Sequence, residues 1–166
     1  MTAPALLPHV KPIAPIRRTE PFDDPEWLFD LKYDGFRGLC YLEQGRCRLI
    51  SRNGNLMSRF VGLGDQIASL DVGDAILDGE VIAADETGRP QFYDLLRDTQ
   101  APAYVAFDLI WLNGGDLRPL PLTERRRHLR NILPKDPMGQ RHCNHRRDYL
   151  NVEVGYAACK RHSDEM

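Results

Sequence analysis

The sequence predicts an α+β fold, and three observations carry that reading. Phe36 to Leu42 and Arg46 to Arg52 read as strands joined through Glu43-Gln44-Gly45, a short link with the glycine that a tight hairpin favours. Two further segments, Ala75 to Ala84 and Tyr104 to Leu112, have strand character. Between and after them, Arg59 to Leu70, Phe92 to Thr99 and Thr123 to about Leu133 are helix candidates.

In chain order, residues 1–25 contain Pro4, Pro8, Pro12, Pro15, Pro21 and Pro25, which favours an extended lead-in laid over the surface rather than a helix. The folded pattern starts near Trp27. There Trp27, Phe29 and Leu31 alternate with Leu28, Asp30 and Lys32, so as a strand the segment places Asp30, Lys32 and Asp34 on one face. With the hairpin's midpoint at Gln44, Arg52 falls opposite Phe36 and beside Arg37, which returns a distant arginine to the lysine. Arg59 to Leu70 keeps helical spacing despite Gly62 and Gly64. Asp78-Gly79-Glu80 sits in the middle of an otherwise apolar strand, and acids in that setting need an explanation. Asn113-Gly114-Gly115 is a turn after the last long strand. Thr123 and Glu124 suit the start of the final helix, and Pro134 its end. There is no internal repeat and no low-complexity tract.

A chain of 166 residues with 42% hydrophobic side chains has room for one ordinary domain with a real core. No stretch resembles a membrane span, and the N-terminus lacks the basic start and long apolar run of a secretory signal, so a cytoplasmic location without membrane contact is expected. Cys40, Cys47, Cys143 and Cys159 show no dense disulfide spacing, which fits a reducing compartment. The net charge of −2 is uneven, with eight Lys/Arg against three Asp/Glu between Thr123 and Asp148. A local basic patch can hold phosphates on an acidic protein. For Arg125, Arg126 and Arg127 the simpler expectation is a solvated helix face.

The most informative stretch is Asp30-Leu31-Lys32-Tyr33-Asp34-Gly35-Phe36-Arg37-Gly38, which sets a lysine between two acids and an arginine-bearing turn. A half-buried strand with a solvated face explains it as pattern. A lysine that must lose its proton to attack a substrate, however, needs a shaped and partly desolvated site. Lys32-Tyr33-Asp34-Gly35-Phe36-Arg37 resembles the lysine motif of covalent nucleotidyltransferases, the superfamily of ATP-dependent DNA ligases, RNA ligases and mRNA capping enzymes. Ser51-Arg52-Asn53-Gly54-Asn55, Leu77-Asp78-Gly79-Glu80-Val81-Ile82 and Tyr104-Val105-Ala106-Phe107-Asp108-Leu109 follow in the family's order. Phe107 to Gly114, followed by Leu120 to Arg126, makes the resemblance strongest to the ligase domain of bacterial end-joining DNA ligases, over roughly residues 10–134.

The resemblance implies an adenylation domain, two antiparallel sheets flanked by helices with ATP between them. It implies that the Lys32 amine attacks the α-phosphate of ATP, expels pyrophosphate and holds AMP through a phosphoramide bond. A free lysine has a pKa of about 10.4, so its proton must leave before or during attack. Arg37 and Arg52 would present planar forks to phosphate or ribose oxygens. Asp34 is the better candidate for Mg²⁺ or Mn²⁺, and Glu80 would contact the ribose or a metal-bound water. Phe107 resembles the aromatic that stacks on adenine, although without the family a place in the core is the favoured reading. Asp30 stands where many ligases have a glutamate near the adenine amino group. The partners implied are nicked or broken double-stranded DNA and end-joining repair proteins, in DNA repair and recombination.

The resemblance divides the chain into the lead-in 1–25, a partial adenylation domain 26–134 and a divergent tail 135–166. The family's later glutamate-glycine segment and lysine pair are not found, and Glu153 and Lys160 offer only an echo of them. Incompleteness at the C-terminus is therefore expected, with poor nick sealing by this chain alone. Cys143, His145, Cys159 and His162 are zinc-compatible ligand types, but their spacing matches no familiar finger. Two other readings stay open: an RNA ligase or capping-type nucleotidyltransferase, and an inactive fragment that binds nucleotide, or binds DNA through the Arg125 region.

Overall fold

The computed structural model describes residues 7–30, 32–83, 90–133 and, for the backbone alone, 152–154. Its elements are β1 (Phe36–Glu43), β2 (Arg46–Ser51), a 3₁₀ turn (Ser58–Phe60), α1 (Val61–Ile67), β3 (Asp74–Ala83), α2 (Phe92–Arg97), β4 (Pro102–Leu112), β5 (Gly115–Asp116), α3 (Leu122–Ile132) and β6 (Val152–Val154). The described residues form one sheet in the order β2-β1-β3-β4-β5, with antiparallel neighbours throughout and β6 added in parallel beside β4. The zinc-compatible Cys143, His145, Cys159 and His162, and Lys160, lie outside the described residues.

Side chains alternate across this sheet as pleating requires. One face carries Cys40, Leu42, Leu77, Val81, Tyr104 and Leu109, which pack with Phe60, Leu63, Ile67, Leu95 and Leu129 from the helical elements into the main core. The opposite face holds two smaller apolar clusters. Leu39, Tyr41, Ile76 and Ile110 gather with Val10 of the lead-in at one end, and Ile82, Ala103 and Val105 gather with Tyr33 at the other. The Val10 N–H donates to the Tyr41 hydroxyl at 2.9 Å, which pins the proline-rich segment to β1. By alternation Arg37, Asp78 and Glu80 fall on this second face, in the polar gap between the clusters.

Four expectations are corrected. The alternation around Trp27 to Lys32 does not make a strand: no partner strand pairs with it among the described residues, and Trp27, at 57% exposure, stacks edge-on with Phe22 instead. The hairpin register moves by one residue, because Gln44 (φ 52°) and Gly45 (φ 69°) together form the turn and Gly38 pairs with Ser51. Arg52, just past that last pair, therefore lines up with Arg37 rather than Phe36. The Arg59 to Leu70 helix shrinks to a 3₁₀ turn and seven-residue α1, which contains both Gly62 and Gly64. Finally, α3 begins at Leu122 after Pro121, so Thr123 lies inside the first turn and does not cap it.

Gly79 shows how tightly the middle of the sheet is built. The fully buried Tyr104 hydroxyl donates to the Gly38 carbonyl at 2.9 Å and lies 3.2 Å from that of Leu77. A Cβ at Gly79 would stand 2.5 Å from the Val105 carbonyl oxygen and 2.6 Å from the Tyr104 ring. Gly79→Ala should therefore cost about 2–3 kcal/mol in urea unfolding, in the range of core overpacking. A midpoint unchanged from wild type would contradict this packing.

Candidate active site

The register between β3 and β4 contains the feature that builds the site. Asp78 pairs with Asp108 and Gly79 with Ala106, so Phe107 is an extra residue in β4, a β-bulge. A bulge leaves one residue out of the ladder and re-aims its side chain. The Phe107 carbonyl accepts a hydrogen bond from Arg126 Nε at 3.0 Å. Its ring lies beneath Arg37, whose guanidinium carbon is 5.2 Å from the ring centroid.

Arg37 is held in turn by Asp78. Its Nε and Nη2 donate to the two carboxylate oxygens at 3.0 and 2.6 Å, and Nη1 donates to the Ile13 carbonyl at 3.1 Å. The Asp78 hydrogen bonds push the Arg37 pKa up further from an already high value. The acid noted inside the apolar strand is thus the counter-charge of the arginine on β1. Asp108, opposite Asp78 in register, takes its own arginine: Arg125 Nε and Nη2 each donate to it at 2.8 Å. Like charges paired across strands are unfavourable. Two separate forks resolve that conflict for carboxylates only 3% and 6% exposed.

Around these pairs the lysine loop is tied down at several points. Arg126, 7% exposed, places both fork nitrogens on Asp30, with Nη1 3.0 Å from Oδ1. Tyr33 packs on Ile82, Ala103 and Val105. Gly35 lies so close to β3 that a Cβ there would be 2.2 Å from the Val81 carbonyl oxygen, and its N–H donates to the Glu80 carboxylate. Lys32 and Asp34 stay outside, 88% and 73% exposed by side chain, with Nζ and Oδ1 3.9 Å apart. Burial raises the Glu80 pKa above the usual carboxylate value, while Arg37, the Gly35 N–H and Lys32 pull it down and Asp34 adds to the rise.

Five of the seven site residues read from the sequence therefore form one electrostatic group: Lys32, Asp34, Arg37, Glu80 and, beneath Arg37, Phe107. Asp30 is joined to them through Arg126. Arg52 is exposed in the turn after β2, at the same end of the hairpin. Arg125 and Arg126, expected on a solvated face, instead turn inward, Arg125 onto the buried Asp108 and the buried Arg126 onto Asp30 at the surface, while Arg127 stays on the surface with Glu124. The signal for Arg126 was present in its spacing, since it shares a stripe with the buried Leu129 and Leu133. A cavity lined by Glu43, Arg46, Cys47, Arg48 and Asp65 opens at the hairpin turn, at the other end of β1 from the lysine.

A family profile described as an ATP-dependent DNA ligase domain matches residues 10–154. The multifunctional non-homologous end joining protein LigD of Pseudomonas aeruginosa is 38% identical over 122 residues, covering 68% of this chain and 14% of that protein. The SPbeta prophage-derived DNA ligase-like protein LigB of Bacillus subtilis is 33% identical over 121 residues, covering 68% of this chain and 43% of its own length. Among solved structures, the ligase domain of M. tuberculosis LigD matches with a TM-score of 0.53 at 28% identity, over 62% of this chain and 35% of that one. A mycobacterial DNA ligase D complexed with ATP and MES gives 0.54 at 28% identity, over 61% and 35%. The chain thus spans less than half the length of each of these relatives.

The raised Glu80 pKa sets a sign for stability against pH. Folded Glu80 keeps its proton to higher pH than unfolded Glu80, so its contribution falls as pH rises through the window above the usual carboxylate value of 4.5. Glu80→Gln should accordingly gain in melting temperature relative to wild type between about pH 4 and pH 7. A difference that does not change with pH would contradict the burial of this carboxyl.

Proposed function

The chain belongs to the ATP-dependent DNA ligase domain family, and on that footing we propose that Lys32 is the nucleophile that takes AMP from ATP for transfer to a DNA 5′-phosphate. The observation that carries the reading is the convergence on one sheet face of an exposed amine, two carboxylates and a bulged aromatic held beneath an arginine. A structural neighbour with the same fold is described in complex with ATP, which supports the choice of nucleotide.

In the proposed reaction the Lys32 Nζ–P bond forms as the α-phosphate's bond to pyrophosphate breaks, and the amine loses its proton. The phosphoramide then breaks as an oxygen of the DNA 5′-phosphate takes the AMP. Attack by the 3′-hydroxyl expels AMP and seals nicked or broken double-stranded DNA. Arg37 has committed its fork to Asp78, so it acts on the nucleotide as a fixed positive charge and as the cover of one Phe107 face. Stacking of adenine is assigned to the ring face opposite Arg37. Arg52, exposed at the hairpin's end, is the arginine with reach to the phosphates. Asp30 stands at the family's adenine-side position, but Arg126 occupies both of its oxygens, so no contact with adenine is assigned to it.

Asp34 and Glu80 fit a hard divalent cation, because burial and Asp34 already raise the proton affinity of Glu80, a condition that a bound cation relieves. Mg²⁺ or Mn²⁺ held there would supply charge neutralisation for the triphosphate. End-joining repair proteins are the partners proposed for the whole protein.

Incubation with α-labelled ATP and Mg²⁺, followed by denaturing electrophoresis, should give a covalent adduct on wild type and none on Lys32→Ala. Equal labelling of that variant would remove Lys32 from the role. Phe107→Ala should weaken ATP binding by about 5- to 100-fold, the loss of one base–aromatic stack worth about 1–3 kcal/mol. Unchanged ATP affinity in a calorimetric titration would place adenine elsewhere.

A further inference from the structure

We propose that Arg126 is a positioning residue, which sets both the lysine loop and the bulged aromatic through a single buried guanidinium. This rests on the reading of Lys32 as nucleophile. All three of its assigned nitrogens are in use: Nε on the Phe107 carbonyl at 3.0 Å, Nη1 on Asp30 Oδ1 at 3.0 Å and Nη2 on Asp30 Oδ2. The two acceptors come from segments far apart in sequence and have different parts in the site. Asp30 is two residues before the nucleophile, and Phe107 carries the proposed adenine platform.

At its start the loop's other contacts are local, with Phe22 stacked on Trp27 and Phe29 and the Trp27 N–H on the Asp24 carbonyl, whereas the Arg126 fork ties it to α3. Residues 26–30 pair with no strand among the described residues, and Trp27, Leu28 and Phe29 are exposed. Downstream, Tyr33 and Gly35 are anchored by packing on β3 and β4. Lys32 therefore lies on a short span between the Arg126 fork and the sheet. Releasing the fork frees one end of that span. A planar, always charged group with donors in two directions can serve the carbonyl and the carboxylate together, which a lysine ammonium cannot do in the same geometry. Asp30 on this view is the anchor of the loop rather than the reader of adenine.

Arg126→Lys, Arg126→Gln and Asp30→Asn should be compared with wild type and with the surface variant Arg127→Ala by ¹⁵N NMR relaxation and by single-turnover labelling with ATP. Backbone order parameters over residues 28–35 should be about 0.85 in wild type and Arg127→Ala, and fall below about 0.6 in the Arg126 and Asp30 variants. In Asp30→Asn, order in β4 should be retained. The adduct-forming rate at saturating ATP should fall at least tenfold in all three, with ATP affinity kept in Asp30→Asn and reduced in the Arg126 variants. A role confined to packing α3 predicts the opposite: lowered stability with residues 28–35 unchanged. That result, or a loop equally mobile in wild type, would overturn the proposal. If the Arg126 variants fail to fold, Asp30→Asn reads the same pair from its exposed end. If wild type forms no adduct, the nucleophile reading fails, while the order parameters still decide whether Arg126 positions the loop.

Discussion

The site depends on one extra residue in a β-ladder. By adding Phe107 between the partners of Gly79 and Asp78, β4 takes one carbonyl out of register with β3 and turns one aromatic toward the face that carries Arg37. Both consequences demand a response, because a backbone carbonyl shifted out of its ladder needs a donor and an aromatic on a polar face needs cover. Arg126 meets the first demand and Arg37 the second. Each arginine then needs a carboxylate, and Asp30 and Asp78 supply them. The lysine loop, the central strands and α3 are thereby bound into one arrangement.

The charged pairs at the centre are better understood as geometry than as net stability. A buried ion pair is often no more stabilising than apolar residues of the same shape, but losing one partner leaves an uncompensated charge and commonly costs about 3–5 kcal/mol. Asp78 and Asp108 illustrate the constraint. They face each other across two central strands, so neither can lose its arginine without exposing the repulsion between them. What the forks secure is the placing of Arg37 over Phe107 and of α3 against β4.

Much of the fold was legible in local pattern: the four long strands, the Gln44-Gly45 turn region and α3 all follow from hydropathy and turn residues. The register was less so, because whether a turn centres on Gln44 or between Gln44 and Gly45 depends on two positive φ angles that composition does not state. Alternation at Trp27 to Lys32 misled for a related reason. Period-two hydropathy marks a strand only where a neighbouring strand is present to take its backbone groups. The arginine partners were hidden by distance, since Arg126 meets Asp30 across 96 residues and Arg125 meets Asp108 across 17. Their sequence signal was indirect: acids in apolar strands, and an arginine on the apolar stripe of a helix.

A crystal structure of the chain bound to ATP and Mg²⁺ is the most direct measurement of this account. It should show adenine on the Phe107 face not covered by Arg37, the α-phosphate within reach of Lys32 Nζ, and Arg126 still joined to Asp30 and the Phe107 carbonyl. A nucleotide seated elsewhere, such as the cavity at the hairpin turn, or a β4 without its bulge at Phe107, would contradict it.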